Sequence, residues 1–191
     1  MATALAAKSP QLKAVFAHNV LDPSLPESIR ITRFPAWLQP YHETISRGMK
    51  AAAGALPRLE NPVGLYLDGR RVFEEGWTRE YFYCDPLALR SYPLYFLASL
   101  LSADMRFLTS GEIGCPVVNV APTGDRLFPF DYARTIYERI VAPGKEMLLF
   151  GLDRHLIFNE CVEEVLPSIG AKLNKYAASD AGGKGAPGTE S

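Results

Sequence analysis

Three side chains in this sequence have the chemistry of catalytic groups: His155, Asp153 and Cys115. A histidine beside a carboxylate can move protons, and a thiolate is a nucleophile once a base has taken its proton. Asp153 and His155 stand two residues apart, so they share one face if a strand extends that far. The base for Cys115 would be His18, His42 or His155. A turn aspartate, a solvent-facing histidine and a buried structural thiol are the commoner explanations of the same residues.

The motifs of several other enzyme classes are incomplete. The Gly183-Lys184 pair is followed by another glycine instead of serine or threonine, so it is not a phosphate-binding loop. His42 begins a zinc-protease pattern, but Ser46 stands where the second histidine is needed. The Gly-x-Ser-x-Gly nucleophile elbow fails at Ser110, because Leu108 replaces its first glycine. The sequence therefore predicts no metal and no cofactor.

Aromatic residues and arginines are concentrated between residues 66 and 96. Tyr, Trp and Arg dominate the energetic centres of protein interfaces, because they bury much area and keep a polar group. A single strand of nucleic acid can also stack on such a face, and the same rings can simply form a core. The candidate binding residues on one predicted sheet face are Tyr66, Arg71, Arg79, Tyr81 and Tyr83.

Residues 63–84 predict the sheet that would carry this face. Asp68-Gly69 between two apolar runs favours a type I′ hairpin, which needs two positive φ angles. Residues 78–84 alternate in type and predict a third strand. The segment is therefore interpreted as a three-stranded antiparallel meander.

Other elements follow from periodicity and from the placement of proline and glycine. Helices are predicted from about residue 40 to 53, from 131 to 141 and from 159 to about 176. Residues 117–120 are a candidate strand, and residues 147–158 are interpreted as a second hairpin. Strands grouped in hairpins between helices predict an α+β fold, a single domain with an antiparallel sheet packed against helices.

Composition sets the class of protein. Of 191 residues, 48% are hydrophobic and 21% charged, as in an average globular domain. The predicted organisation is a loose N-terminus over residues 1–10, one domain over 11–177, and a disordered Gly/Ser/Pro tail over 178–191. A formal charge of −1 argues against duplex nucleic acid and anionic membrane as partners.

The location is predicted from the cysteines and from the chain's start. Three widely spaced cysteines argue against a disulfide framework and favour a reducing compartment. The first residues do not resemble a signal peptide. A soluble, cytoplasmic protein is expected.

The incomplete catalytic motifs and the aromatic face together favour a non-catalytic protein-binding module, such as an inhibitor, an immunity-type antidote or an accessory subunit. One alternative is a small enzyme with a pocket near His155, Asp153 and Cys115. The other is a structural or assembly protein in which the aromatic face makes a homodimer.

Overall fold

A computed structural model of the chain describes residues 2–9, 11–73 and 76–178. The strands are β1 (Val15–His18), β2 (Glu60–Pro62), β3 (Ser91–Pro93), β4 (Val117–Pro122) and β5 (Lys145–Phe150). The helices are α1 (Ala2–Lys8), α2 (His42–Ala55), α3 (Gly69–Val72), α4 (Gly76–Cys84), α5 (Leu94–Leu101), α6 (Phe130–Arg139), α7 (Ile157–Glu160) and α8 (Val162–Ala178). The main sheet has the order β1-β4-β5, and both of its pairings are parallel.

The parallel sheet contradicts the predicted α+β class, because the fold is a mixed α/β arrangement. Helix α6 connects β4 to β5, and such a crossover returns the chain in the same direction. The predicted hairpin over 147–158 is also wrong, because a loop follows β5 and residues 157 and 158 begin α7 instead of completing a return strand. Every residue of β4 is buried, as expected for a central parallel strand covered on both faces.

Helices cover the main sheet on its two faces. On one face Val117 packs in a core with residues of α1 and α6, including Ala6 and Ile136. On the other face Val118 and Val120 pack against α7 and α8. Side chains along a strand alternate between faces, so adjacent valines of β4 contribute to different cores.

The predicted meander over residues 63–84 is wrong. Asp68 does not begin a type I′ turn; its carboxylate accepts the backbone N–H of Arg70 and caps α3. Among the described residues, only Asn19 and Gly111 have positive φ, so Gly69 lacks the angle that the turn needs. The strand preference of aromatic residues depends on context, and here the aromatic segment forms α4.

Both ends of the chain were predicted to be loose. Residues 1–10 were expected to be loose, yet Ala2–Lys8 is helical, and Thr3 and Ala6 are buried. The predicted tail begins at residue 178, where α8 ends, and residues 179–191 lie outside the described residues.

The chain between β1 and β4 forms a largely helical insertion of residues 19–116. Within it α2 and α5 pack through Ala53, Leu94 and Ala98, and β2 pairs antiparallel with β3. None of the helices in the described part of the chain is both long and apolar enough to cross a membrane.

Arg71 ties this insertion to the loop after β4. Its guanidinium donates to the carbonyl oxygens of Thr32 at 3.0 Å and Arg30 at 2.8 Å, both in the insertion. It also donates to Arg126 at 2.8 Å and Leu127 at 3.3 Å in that loop. The planar fork of an arginine suits several acceptors at once.

Replacing Arg71 with lysine tests this tie. A lysine ammonium is a point charge that cannot reach carbonyls in both segments, so we expect Arg71→Lys to lower the free energy of unfolding by about 2 kcal/mol. Denaturant unfolding measures it. The matched control is Arg70→Lys on the same helix, with an expected change within about 0.5 kcal/mol. Equal stability of the two variants would contradict the role given to Arg71.

Candidate functional site

The candidate site lies where the three parallel strands end. His18 closes β1 and Asn19 follows it, Asp125 follows β4, and His155 follows β5. Parallel strands end at one edge of their sheet, and α/β proteins bind ligands at that edge. The fold therefore brings together four polar side chains that are far apart in sequence.

Backbone hydrogen bonds hold the loops after β4 and β5 together beyond the strands. The Thr123 N–H donates to the Phe150 carbonyl, and the Gly124 N–H donates to the Leu152 carbonyl, both at 2.8 Å. A Cβ at Gly124 would lie 2.9 Å from the Cα of Asp153, which is closer than real Cβ atoms approach. Only glycine allows this approach, and it places the next residue, Asp125, beside His155.

Asp125 is fully buried and fully hydrogen-bonded. Its Oδ1 accepts the backbone N–H groups of Leu127 at 2.7 Å and Phe128 at 2.9 Å. Its Oδ2 lies 3.0 Å from Nδ1 of His155 and 3.0 Å from Nδ2 of Asn19. Four donors compensate a buried carboxylate for the water it loses.

His155 is held by this carboxylate and by two rings. Its side chain is 15% exposed, stacks on Phe128 at 5.5 Å between centroids, and faces the ring of His18 at 5.9 Å. Because an ionised carboxylate only accepts, Nδ1 of His155 carries the proton and donates it to Asp125. Nε2 is then the basic nitrogen. This is the arrangement of a general base oriented by an acid.

His18 is kept neutral beside this pair. Burial, the nearby His155 and, in the opposite direction, Asp125 together lower its pKa from 6.5 to about 4. Its Nε2 lies 2.9 Å from Nδ2 of Asn19, which donates to it. Its ring meets Phe158 edge-on at 5.2 Å.

The structure separates the three predicted catalytic candidates. Asp153 is two residues from His155, but its side chain is 65% exposed and lies 3.7 Å from Arg154. Cys115 precedes β4, so it lies at the opposite edge of the sheet from His155, and burial raises its pKa. His42 is buried elsewhere, 2.9 Å from the Pro23 carbonyl. Of these residues only His155 belongs to the acid–base pair.

The predicted binding residues do not form one surface. Tyr66 follows a short 3-10 turn and is half-buried, and Arg71 makes the backbone contacts described above. Arg79, Tyr81 and Tyr83 are exposed on α4, where Tyr81 and Tyr83 project in widely different directions at helical spacing. A binding role for these residues remains a prediction.

Asp125 and Asn19 are not among the site residues predicted from the sequence. The available signal was two apolar runs, residues 117–122 and 145–150, with a helix between them, which is the pattern of a β-α-β unit. Had these strands been treated as parallel, the polar residues directly after them would have been expected at one edge. Among the described residues, no group of three or more His, Cys, Asp or Glu side chains is arranged to hold a metal ion.

Two solved lipase structures are similar to this chain. One is a soluble variant of monoglyceride lipase from Saccharomyces cerevisiae, in complex with a substrate analogue. It has a TM-score of 0.61 and 15% identity over 92% of this chain and 58% of that chain. The other is a monoacylglycerol lipase from Paleococcus ferrophilus, with a TM-score of 0.62 and 18% identity over 91% of this chain and 63% of that chain.

At these identities the likeness is one of fold alone, a mixed α/β arrangement with a parallel sheet. This chain spans less than two thirds of the length of either lipase. No protein-family model and no curated protein sequence matches it.

This likeness corrects the functional interpretation made from the sequence. The non-catalytic protein-binding module, with its inhibitor and immunity-protein classes, is contradicted, because both similar structures are those of enzymes. The sheet face that was to act in binding is also absent from the described residues, since α3 and α4 occupy that segment.

Replacing Gly124 with alanine tests the close approach of the two loops. The added Cβ meets backbone atoms, which cannot swing aside as a flexible side chain can. We expect Gly124→Ala to lower the free energy of unfolding by about 1–3 kcal/mol, measured by denaturant unfolding. Gly151→Ala is the matched control, because a Cβ there has no neighbour within 4 Å. If the two variants unfold at the same denaturant concentration, the packing argument is wrong.

The lowered pKa of His18 predicts a pH dependence of stability. Between pH 6.5 and about 4 the unfolded chain protonates His18 and the folded chain does not, so stability falls as pH falls. The loss is at most about 3 kcal/mol and is complete near pH 4. Thermal or denaturant unfolding across this range measures it. His18→Gln should flatten this part of the profile, and an unchanged slope in the variant would assign it to other groups.

Proposed function

We propose that this chain carries the acid–base pair of an ester hydrolase, with His155 as the general base and Asp125 as the acid that orients it. One observation carries the proposal. A fully buried carboxylate lies 3.0 Å from Nδ1 of His155, at the carboxyl edge of a parallel sheet. The fold shared with two lipases supports it.

The proposed chemistry is proton transfer at Nε2 of His155. Nε2 takes a proton from an attacking hydroxyl, and the oxygen of that hydroxyl forms a bond to the ester carbonyl carbon. The imidazolium is stabilised by Asp125 and returns the proton to the alcohol oxygen as the carbon–oxygen bond breaks. The products are an alcohol and an acyl group carried by the attacking oxygen.

Two sources of the attacking hydroxyl are distinguishable. Among the described residues, the polar contacts of His155 all involve Nδ1, and none joins Nε2 to a hydroxyl or thiol. In α/β-hydrolases with a serine nucleophile, that serine precedes the acid and the histidine in chain order. The attacking group is a water molecule, or a hydroxyl that does not contact Nε2 in this structure. A burst of released alcohol indicates an acyl-enzyme, whereas its absence favours water.

The proposed substrate class is a carboxylic ester. Both similar structures are named as lipases of monoacylglycerols, so a monoacylglycerol is the first natural ester to test, with p-nitrophenyl butyrate as a chromogenic probe.

Hydrolysis by matched variants tests the proposal. We expect His155→Gln to abolish hydrolysis above the buffer rate. We expect Asp125→Asn to reduce it roughly 100-fold or more, because the imidazole loses its orientation and the partner of its positive charge. The matched control is Asp153→Asn, an exposed carboxylate two residues from His155, with an expected change below about twofold.

Circular dichroism of each variant separates loss of chemistry from loss of fold. The proposal fails if the folded wild-type chain hydrolyses neither ester, or if His155→Gln retains the wild-type rate. If Asp153→Asn reduced the hydrolysis rate as much as Asp125→Asn, the result would instead favour Asp153, the carboxylate predicted from the sequence.

Binding to another protein, homodimer formation and a cytoplasmic location remain predictions from the sequence.

A further inference from the structure

Asn19 has an unusual backbone and an unusual side chain. Among the described residues it is the only non-glycine residue with positive φ, at 52°. Its Oδ1 is buried and makes no hydrogen bond to another described residue. Both features are unfavourable, and such features persist where the surrounding structure enforces them, often at functional sites.

The amide of Asn19 can face the site in one orientation only. Its Nδ2 lies 3.0 Å from Oδ2 of Asp125 and 2.9 Å from Nε2 of His18. An amide has two N–H groups, which match these two acceptors. Turning the amide over would place its oxygen against a carboxylate oxygen. The uncompensated Oδ1 is therefore the consequence of directing both donors toward Asp125 and His18.

We propose that Asn19 is the positioning residue of the Asp125–His155 pair: its amide fixes Oδ2 of Asp125 as the acceptor for Nδ1 of His155 and keeps Nε2 of His155 free to act as the base. Nδ2 of Asn19 lies 3.1 Å from Nδ1 of His155. Since both nitrogens carry hydrogen, each donates to the shared oxygen Oδ2, and neither accepts from the other. The kinetic part of this inference rests on the proposed function.

His18 is the second acceptor of the Asn19 amide. Asn19 donates to Nε2 of His18, so that nitrogen must be an acceptor and the ring must be neutral. Burial and the nearby His155 lower the pKa of His18 to about 4, although Asp125 raises it. A carboxylate at position 19 would accept a hydrogen bond where the amide donates one. It would therefore favour a protonated Nε2 on His18.

Two variants at Asn19 test the proposal, and each tolerates positive φ. Asn19→Gly removes the amide that holds Oδ2 of Asp125, and we expect the Nδ1 proton of His155 to exchange faster with solvent, observed by proton–nitrogen NMR. Asn19→Asp places a carboxylate against His18, and we expect the pKa of His18 to rise from about 4 toward its ordinary value. With p-nitrophenyl butyrate, we expect Asn19→Gly to lower kcat roughly 10- to 100-fold with little change in KM.

The exchange variant Asn19→Asp with Asp125→Asn provides the rescue. One amide and one carboxylate again face each other, and an asparagine at 125 still offers Oδ1 to Leu127 and Phe128. Since Nδ2 of Asn19 and Oδ2 of Asp125 are almost equally distant from Nδ1 of His155, the exchanged carboxylate can accept its proton. We expect the slow exchange of the Nδ1 proton of His155 to return in this variant.

A purely structural role for Asn19 predicts different results. The proposal is overturned if the Nδ1 proton of His155 exchanges no faster in Asn19→Gly, or if the pKa of His18 is unchanged in Asn19→Asp. Asn19→Asp and the exchange variant still decide the question if Asn19→Gly does not fold. If the wild-type chain hydrolyses no ester, the proposed function fails, but the NMR results still decide the role of Asn19.

Discussion

The two backbone hydrogen bonds that continue beyond β4 and β5 are the constraint on which the candidate site depends. They join Thr123 to Phe150 and Gly124 to Leu152, so the loops leave the sheet as a pair. Asp125 follows Gly124 on one of these loops, and its short side chain contacts His155 on the other loop. A site built this way loses little conformational entropy when it forms, because folding of the sheet has already fixed its backbone.

The buried charge of Asp125 explains why so much of the surrounding structure converges on one carboxylate. An ionised group without water needs donors, and here they come from its own loop, from His155 and from Asn19 after β1. All three strands of the main sheet thus contribute to one hydrogen-bond network. The network joins stability to chemistry, because the groups that compensate the charge are those that orient the imidazole.

Several elements were predictable because their signals are local. The helices near residues 40–53 and 131–141 follow from periodicity, and the structure has α2 and α6 there. Strand direction is not local: the apolar runs of β4 and β5 fit a hairpin or a crossover until α6 is recognised as the connection. Asp68 shows the same limit, since Asp-Gly suits a type I′ turn and a helix cap equally well, and packing decides. His155 was found by its chemistry, whereas Asp125 required knowledge of which strand ends meet.

Arg71 shows that the helical insertion and the site are mechanically joined. Its guanidinium donates to two carbonyls of the insertion and to two of the loop after β4. Any displacement of the insertion relative to the sheet must either break these bonds or carry residues 126 and 127 with it. The second case would move the Leu127 N–H, which donates to Oδ1 of Asp125. Arg71, which was predicted to bind partners, thus connects the insertion of residues 19–116 to the loop that carries Asp125.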